Sequence, residues 1–497
     1  MKLSTLLAPL GPAASFLGDA AVDVTSLAYD SRAVRPGALF FALPGASRDG
    51  LAFVADALAR GAVAVVHAPP FLGLGIPEIA CDAPRRLMGR IADAFFGHPS
   101  RHLRLHGVTG TNGKTTTTFL LRDLLRAAGR PSGLLGTVRY DVGDAAPAEA
   151  SRTMPEAPDT HAFLARALAN GLTDVAIEVS SQGLAAERAS GLSFATVGFS
   201  HLTGDHLDFH KTMEAYFQAK RRLFLEAAPA APAAVNRRCP YGRRLLGEIS
   251  SPARRTLSFA LDDPRADISA DALRLDPDGS TFDLATPFGS FSALRLPLPG
   301  RYNVENFLLA LSLALLSEAP LGPMLAALPA LHGAPGRMQT VPDPRGSRRC
   351  IVDYAHTDDA LRNVLATLRE STRGRLWVVF GCGGDRDPTK RPRMGAVATE
   401  LADVAIVTSD NPRSENPGAI ISDILAGVTA CVADGKARAE VLVQVDRGGA
   451  IALAVEKMAP GDTLLVAGKG HETGQLQNGI VTPFDDAEVL ARALARP

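Results

Sequence analysis

Apolar and polar positions alternate along this chain as short buried strands followed by amphipathic helices. RLHGVTG is a short apolar strand, TNGKTTTT a glycine-rich turn, and FLLRDLLRAAG a helix with one apolar face. LTDVAIEVSSQGL and FATVGFSHLTGDHLDFH each run from a buried strand into polar residues. TMEAYFQAKRRLFLEAA predicts a helix with Tyr216, Phe217 and Leu223 on its apolar side. GRYNVENFLLALSLALLSEA predicts a turn and a long apolar helix, with Asn303 and Asn306 placed as caps. Between them, ADISADALRLDPDGSTFDLATPFGSFSALRLPLPG predicts short antiparallel strands around a DPDG turn. Later, RCIVDYAH, RLWVVFGCGG, DVAIVTSD and DTLLVAGKG form four apolar strands with helical segments between them, the pattern of a doubly wound parallel sheet.

A chain of 497 residues exceeds what one core can organise. Three α/β units are expected. Residues 1–86 alternate strand and turn in VTSLAYDSRAVRPGALFFALPG, then helix and strand in DGLAFVADALARGAVAVV. Residues 87–334 carry the glycine turn, and residues 335–497 follow a Gly/Pro-rich break near LHGAPGRMQTVPDPRG. The start, MKLSTLLAPLGPAASFLGDA, holds one lysine and is interrupted by Pro9 and Pro12, so it is expected to be a helix and turn and not an export signal. No apolar run is long enough to cross a bilayer. Basic and acidic residues balance at 52 each, which gives no bulk electrostatic case for nucleic acid or an anionic membrane. Five scattered cysteines without a C-x-x-C pair fit reduced thiols in a cytoplasm and argue against a disulfide scaffold or zinc site.

The glycine turn carries the strongest chemical signal. Gly110, Thr111, Asn112 and Gly113 precede Lys114, Thr115 and Thr116, so backbone N–H groups and a helix start face an anion while Lys114 adds a point charge. Val108 stands where G-x-x-x-x-G-K-[ST] has its first glycine. Thr115 can offer a hydroxyl to the Mg²⁺ of a nucleotide, and Glu178, just past a strand, can meet the same metal or cap the next helix. Asp205, His206, Asp208 and His210 fit either metal ligands or helix caps with surface histidines; Lys220 has a plain solvent-facing reading. Asp30-Ser31-Arg32 can hold a diphosphate or sugar, or be a solvated turn. In the last unit the strand ends collect Asp353, Tyr354, His356, Asp385, Arg386, Asp410, Asn411, Arg413, Lys469, His471 and Glu472, which together suggest a binding cleft.

The ordered series TGTNGKTT, EVSS, DHLDFH, YFQAKRRLF, YNVENFLLA, PGRM, VDYAHT, FGCGGDRD, TSDNPR and AGKGHET resembles the Mur ligases across nearly the whole chain. The resemblance implies a UDP-binding N-terminal α/β domain, a central P-loop ATPase domain with a parallel sheet plus a small antiparallel sheet, and a C-terminal Rossmann-like domain for the incoming amino acid. It implies Mg²⁺- and ATP-driven amide-bond formation on UDP-N-acetylmuramoyl-L-alanyl-D-glutamate in the cytoplasm, by a monomer. The implied roles are Lys114 on the phosphates, Thr115 and Glu178 on one Mg²⁺, His206 on a second, and Lys220 as a carbamylated lysine, an anionic oxygen ligand for a hard cation. Asn303, Arg337 and Asp353 are placed at the adenine-ribose and phosphate end; Thr153, Met154, Ser180, Arg188 and Lys220 at the muramoyl dipeptide; and Ser31 near the uridine.

DNPR at 410–413 resembles the version of the family that takes meso-diaminopimelate; the lysine-adding relatives lack this arginine. Arg413 can grip the distal carboxylate in a bidentate pair with help from Asn411, Asp410 is counted in the same site, and Gly468, Glu472 and Arg386 are expected around the other end. Three positions depart from the family pattern: Met154 replaces a threonine, Gln182 a histidine, and Arg237-Arg238 a pair of acids. The competing readings are a folylpolyglutamate synthetase-like ligase and a nucleotide-switched protein without ligase activity. The first is expected to lack DNPR, and intact Lys114, Glu178, His206 and Lys220 argue against the second.

Overall fold

The computed structural model describes residues 1–8, 14–45, 48–144, 148–150, 152–276 and 278–496, apart from the side chains of Glu149 and Asp208. Pro9 and Pro12 and the proline of the DPDG turn therefore lie outside the described residues, as does the Asp208 side chain. The chain starts with the helix Leu3–Leu7.

Three sheets follow one another. The first has the strand order Ser15–Leu17, Glu78–Ala80, Ala62–His67, Ala38–Phe41, Ser26–Ala28, parallel except for its first pair. The strand Ala38–Phe41 is buried on both faces, as the run ALFF requires. A boundary at residue 86 falls inside the helix Pro84–Phe95, which starts on a proline that costs it no hydrogen bond. Leu87, Met88 and Ile91 of that helix share a core with Leu3, Leu39 and Val66.

The second sheet has eleven strands. Arg104–Thr109 lies at its middle, parallel to Asp174–Glu178 on one side and Thr196–Phe199 on the other. Their carboxyl ends therefore meet at one edge, where an open parallel sheet binds ligands. The antiparallel strands Ile268–Asp276, Gly279–Thr286 and Gly289–Leu296 are continuous with this sheet and do not form a separate one. The helices Lys114–Ala127 and Arg301–Leu316 share its largest core through Leu120, Leu124, Phe307 and Leu311. Arg301–Leu316 is apolar nearly all round because almost its whole surface is buried. Its N-cap position belongs to Gly300, so Asn303 and Asn306 lie inside the helix.

The third sheet runs Gln339–Val341, Arg349–Asp353, Thr463–Ala467, Leu376–Phe380, Val404–Val407, Glu440–Val443. The four expected strands are present and mutually parallel. A fifth parallel strand, Glu440–Val443, and one antiparallel edge were not foreseen. Glu440–Val443 is only half-buried, so it lacks the apolar run of its neighbours. A hairpin, Gly474–Gln477 with Ile480–Pro483, projects beyond the last strand. All five cysteines are free and buried, and among the described residues no helix is long and apolar enough to cross a membrane.

Candidate active site

The phosphate turn is built on backbone that only glycine adopts easily. Gly110 has φ +148°, and a Cβ there would meet Ser200 Oγ at 1.8 Å; Gly113 has φ +86°, and its Cβ would meet Asn306 Oδ1 at 2.2 Å. Ser200 Oγ donates to the Asn112 carbonyl (2.7 Å), and Thr111 N donates to the His201 carbonyl (2.8 Å), which ties the turn to the neighbouring strand end. Lys114 opens the helix and donates to the carbonyls of Gly110 (3.0 Å) and Thr111 (2.7 Å).

Glu178 ends the next strand and is buried. Its carboxylate accepts from the Thr115 hydroxyl (3.0 Å), from Thr137 N (2.8 Å) and from the Thr137 hydroxyl (3.0 Å). Thr137 Oγ1 also lies 3.0 Å from Thr153 Oγ1. Thr137 was not among the expected site residues. Its only sequence signal is its place in LLGTVRY, just past an apolar strand.

Lys220 overturns its solvent-facing reading. The helix Met213–Arg222, capped by Thr212 Oγ1 on Ala215 N, continues into a π-helical turn, Leu223–Ala227. This helix buries Lys220 to 1% exposure. Its Nζ donates to the Gly110 carbonyl (2.7 Å) and sits 4.6 Å from the Tyr216 ring centroid. Burial pushes the amine well below the ordinary lysine range and the Lys114 cation adds to this, with Asp205 opposing. Lys114 is lowered too, first by burial, with Glu178 and Asp205 opposing.

The DHLDFH stretch divides. His206, at φ +53°, has Nε2 3.4 Å from Asp205 Oδ2, whereas His210 Nε2 lies 2.9 Å from Ser181 Oγ and its ring stacks on Tyr216. Among the described residues no group of three or more His, Cys, Asp or Glu could hold a metal ion by itself. That suits Mg²⁺, which takes few protein oxygens and completes its shell with phosphate oxygens and water. The paired Thr115 hydroxyl and Glu178 carboxylate fit such a site.

The third unit closes over this edge. Arg337 Nη2 reaches 3.5 Å from Thr115 Oγ1, and its guanidinium lies 4.5 Å from the Tyr354 ring centroid. Asn112 Nδ2 (3.3 Å) and the Thr203 hydroxyl (3.1 Å) both donate to Asp359 Oδ2. Asp353 accepts from Met338 N (2.7 Å), and burial raises its carboxyl, with Arg337 opposing. Asn303 donates to the Pro299 carbonyl (2.8 Å) and accepts from Asn306 (3.3 Å). Asn303, Arg337 and Asp353 line one cavity together with Gly113 and Thr116. His356 is partly buried beside Lys390, and loss of solvation, with the Lys390 cation adding to it, lowers its imidazole to about 4.

Thr153, Ser180, Arg188, Glu178, His206 and Lys220 line a single cleft with Lys114, and Arg386 reaches it from the third unit. Met154 touches this cleft, but its side chain is 1% exposed and packs into the core, leaving its carbonyl to accept from Arg188 (3.1 Å). Ser180 Oγ caps the next short helix by accepting from Gly183 N (3.0 Å). Ser31 is buried in the short turn Ser31–Ala33 of the first unit, outside this cleft.

A second pocket adjoins the first. Asn411, Arg413 and Glu472 line it with His471, and Thr137 lines both pockets. Asn411 Nδ2 donates to Glu472 (2.7 Å), and the fully buried Lys469 donates to Asn411 Oδ1 (3.2 Å), Glu472 (3.0 Å) and the Gly474 carbonyl (2.6 Å). Arg413 sits at φ +56°, held by its N–H on the Leu476 carbonyl (2.9 Å) and by Nη1 on the Gly384 carbonyl (2.8 Å). Asp410 and Gly468 stand behind the pocket wall: a Cβ on Gly468 would lie 2.5 Å from Asp410 Oδ2.

Comparison with known proteins agrees with this arrangement. Three family models match: "Mur ligase family, catalytic domain" over residues 23–95, "Mur ligase middle domain" over 108–314 and "Mur ligase, glutamate ligase domain" over 336–470. The UDP-N-acetylmuramoyl-L-alanyl-D-glutamate--2,6-diaminopimelate ligase of Streptomyces coelicolor is 44% identical, covering 98% of this chain and 96% of its own. That of Gloeobacter violaceus is 42% identical, covering 100% and 98%. A solved structure of an enzyme of the same name superposes with TM-score 0.69 at 33% identity, over 99% of this chain and 98% of that one. The chain belongs to the Mur ligase family.

Proposed function

We propose that the chain is the ATP-dependent ligase that joins meso-2,6-diaminopimelate to UDP-N-acetylmuramoyl-L-alanyl-D-glutamate, releasing ADP and phosphate, in peptidoglycan synthesis. The observation that carries this reading is the pair of pockets sharing Thr137: one holds the phosphate turn and Lys220, the other Arg413 and Glu472. A carboxyl group activated in the first pocket then faces an amine bound in the adjoining one.

A carboxylate is a poor electrophile until one oxygen becomes a good leaving group. The D-glutamyl carboxylate takes the γ-phosphoryl group of ATP, forming an acyl phosphate as the γ-phosphoryl–ADP bond breaks. The amine then attacks the carbonyl carbon, the carbon–oxygen bond to phosphate breaks, and the nitrogen loses a proton. Residues Gly110 to Thr116 cradle the phosphates and Lys114 offsets their charge. Asn303, Arg337 and Asp353 hold the adenine-ribose end. Thr115 and Glu178 would hold one Mg²⁺ and His206 a second, and these ions screen the repulsion between carboxylate and γ-phosphate.

Lys220 serves as a carbamate. Its amine, kept neutral by burial beside Lys114, adds CO₂ and loses a proton, which turns a neutral group into an anion next to the phosphates. Thr153, Ser180, Arg188 and the Met154 backbone face the dipeptide, and Ser31 the uridine. Asn411, Arg413 and Glu472 bind the two-headed amino acid, with Asp410 and Gly468 supporting the wall and Arg386 reaching the reacting carboxylate. A lysine substrate leaves Arg413 without an anion. Residues 1–95 serve the UDP end, about 96–334 the ATP chemistry, and 335–497 the amino acid, in a cytoplasmic monomer.

The test is phosphate release with ATP, Mg²⁺ and the UDP-muramoyl dipeptide against a panel of amino acids. Release with diaminopimelate and not with lysine, together with tripeptide product, supports the assignment. No tripeptide from diaminopimelate overturns it.

A further inference from the structure

Two residues of the first unit, Tyr29 and Arg85, hydrogen-bond to the start of one central helix, Ala157–Ala169. Arg85, on the helix Pro84–Phe95, donates from Nη1 to both oxygens of Glu156 (3.0 and 2.9 Å). Tyr29 donates its hydroxyl to Asp159 (2.5 Å). Glu156 is 5% exposed and uses the same carboxylate to accept from Arg188 Nε (3.2 Å) and Nη2 (3.0 Å). The Met154 carbonyl accepts from Arg188 Nη1 (3.1 Å), so all three guanidinium nitrogens are fixed and the plane presents its remaining N–H bonds to the cleft.

One buried carboxylate between two guanidinium groups leaves a net positive charge. Such a carboxylate orients both cations, because each fork has a fixed donor geometry. Arg85 belongs to the unit at the uridine end of the acceptor, and Arg188 lines the cleft at the peptide end. A shift of the first unit therefore reaches the Arg188 guanidinium through the Glu156 carboxylate, while Arg86 on Glu187 (3.0 Å) ties the same helix to the backbone beside it.

We propose that Glu156 is a positioning residue which couples the seating of the first unit to the orientation of Arg188, so that the two ends of the long acceptor are gripped together. This rests on the ligase reading above. It concerns the UDP-muramoyl dipeptide and neither ATP nor the amino acid, which bind on other walls of the site.

The test uses the full chain. In Glu156→Gln the KM for the UDP-muramoyl dipeptide is expected to rise about tenfold or more, the scale of losing charge-assisted bonds, with the KM for ATP and for diaminopimelate within twofold of the parent. Glu156→Asp restores part of the loss. Arg85→Ala, a partly exposed position, raises the same KM, and combining it with Glu156→Gln gives less than the product of the two effects. Calorimetric titration of the acceptor repeats the comparison without turnover, so an inactive parent would overturn the ligase reading while leaving the coupling measurable. An unchanged acceptor affinity in folded Glu156→Gln and Arg85→Ala, or strictly multiplicative effects, overturns the proposal.

Discussion

Lys114 and Lys220 donate to one acceptor, the Gly110 carbonyl, from 3.0 and 2.7 Å. Two ammonium groups on one carbonyl repel, and Lys220, buried where Lys114 is only partly so, is driven toward its neutral form. Lys220→Met is expected to lower kcat at least about a hundredfold, the scale of losing a charged group at the reacting centre. Intact-mass measurement in bicarbonate should find a carbamate on the parent and none on the variant. The unmodified lysine binds a proton in the unfolded chain up to about pH 10.4 and resists one when folded, so its burial costs stability increasingly as pH falls below that value. Lys220→Met should therefore melt above the CO₂-free parent at pH 7 and close to it at pH 10. Equal melting at both values would sink the buried-amine argument.

Thr137 supplies two of the three hydrogen bonds to Glu178 and stands between the two pockets. Thr137→Val keeps the backbone bond and removes the hydroxyl from both Glu178 and Thr153. Loss of one bond to a charged group is worth about 1.5–3 kcal/mol, so kcat/KM for the acceptor should fall roughly ten- to a hundredfold with the fold intact. Steady-state kinetics with a circular-dichroism melt checks this, and unchanged kcat/KM removes Thr137 from the site.

Arg413 is held by backbone contacts that do not depend on a ligand. Arg413→Ala should raise the KM for diaminopimelate by about a hundredfold, as expected for losing one partner of a desolvated charge pair, and leave ATP affinity unchanged. Discrimination against lysine should shrink with it, because the distal carboxylate loses its partner. Competition between the two amino acids, read by product mass, decides the point.

Asp174 anchors the far end of the central sheet. It is fully buried; His106 Nε2 lies 2.9 Å from it, Arg104 donates to it at 3.2 and 3.3 Å, and Arg130 Nε at 3.0 Å with a second, shorter bond from Nη2. Burial alone would raise this carboxyl, but the bonds from His106, Arg130 and Arg104 outweigh it and hold it well below the carboxylate range. The sign follows: a depressed pKa contributes stability that is present above about pH 4 and lost as pH falls below it. Asp174→Asn should cost about 3 kcal/mol at pH 7, with a difference that narrows in acid. Urea melts at pH 7 and pH 3 test this.

The order of strands and helices and the glycine turn were legible in the sequence, because periodic burial and short glycine-rich turns are local properties of the chain. Gly110, Gly113, Lys114 and Glu178 stand where that local pattern placed them. Lys220 could not be recognised as buried from its charged neighbours. Its environment comes from the Gly110 carbonyl, 110 residues away in sequence, and from the packing of Tyr216. The role of Thr137 and the clamp at Glu156 were likewise invisible, since their partners come from separate elements. That the helix Pro84–Phe95 buries Leu87, Met88 and Ile91 in the first core was also a matter of packing. Residue pattern determined which elements form; tertiary structure alone decided which side chains lose water together, and that loss of solvation sets both the charge states and the couplings of this site.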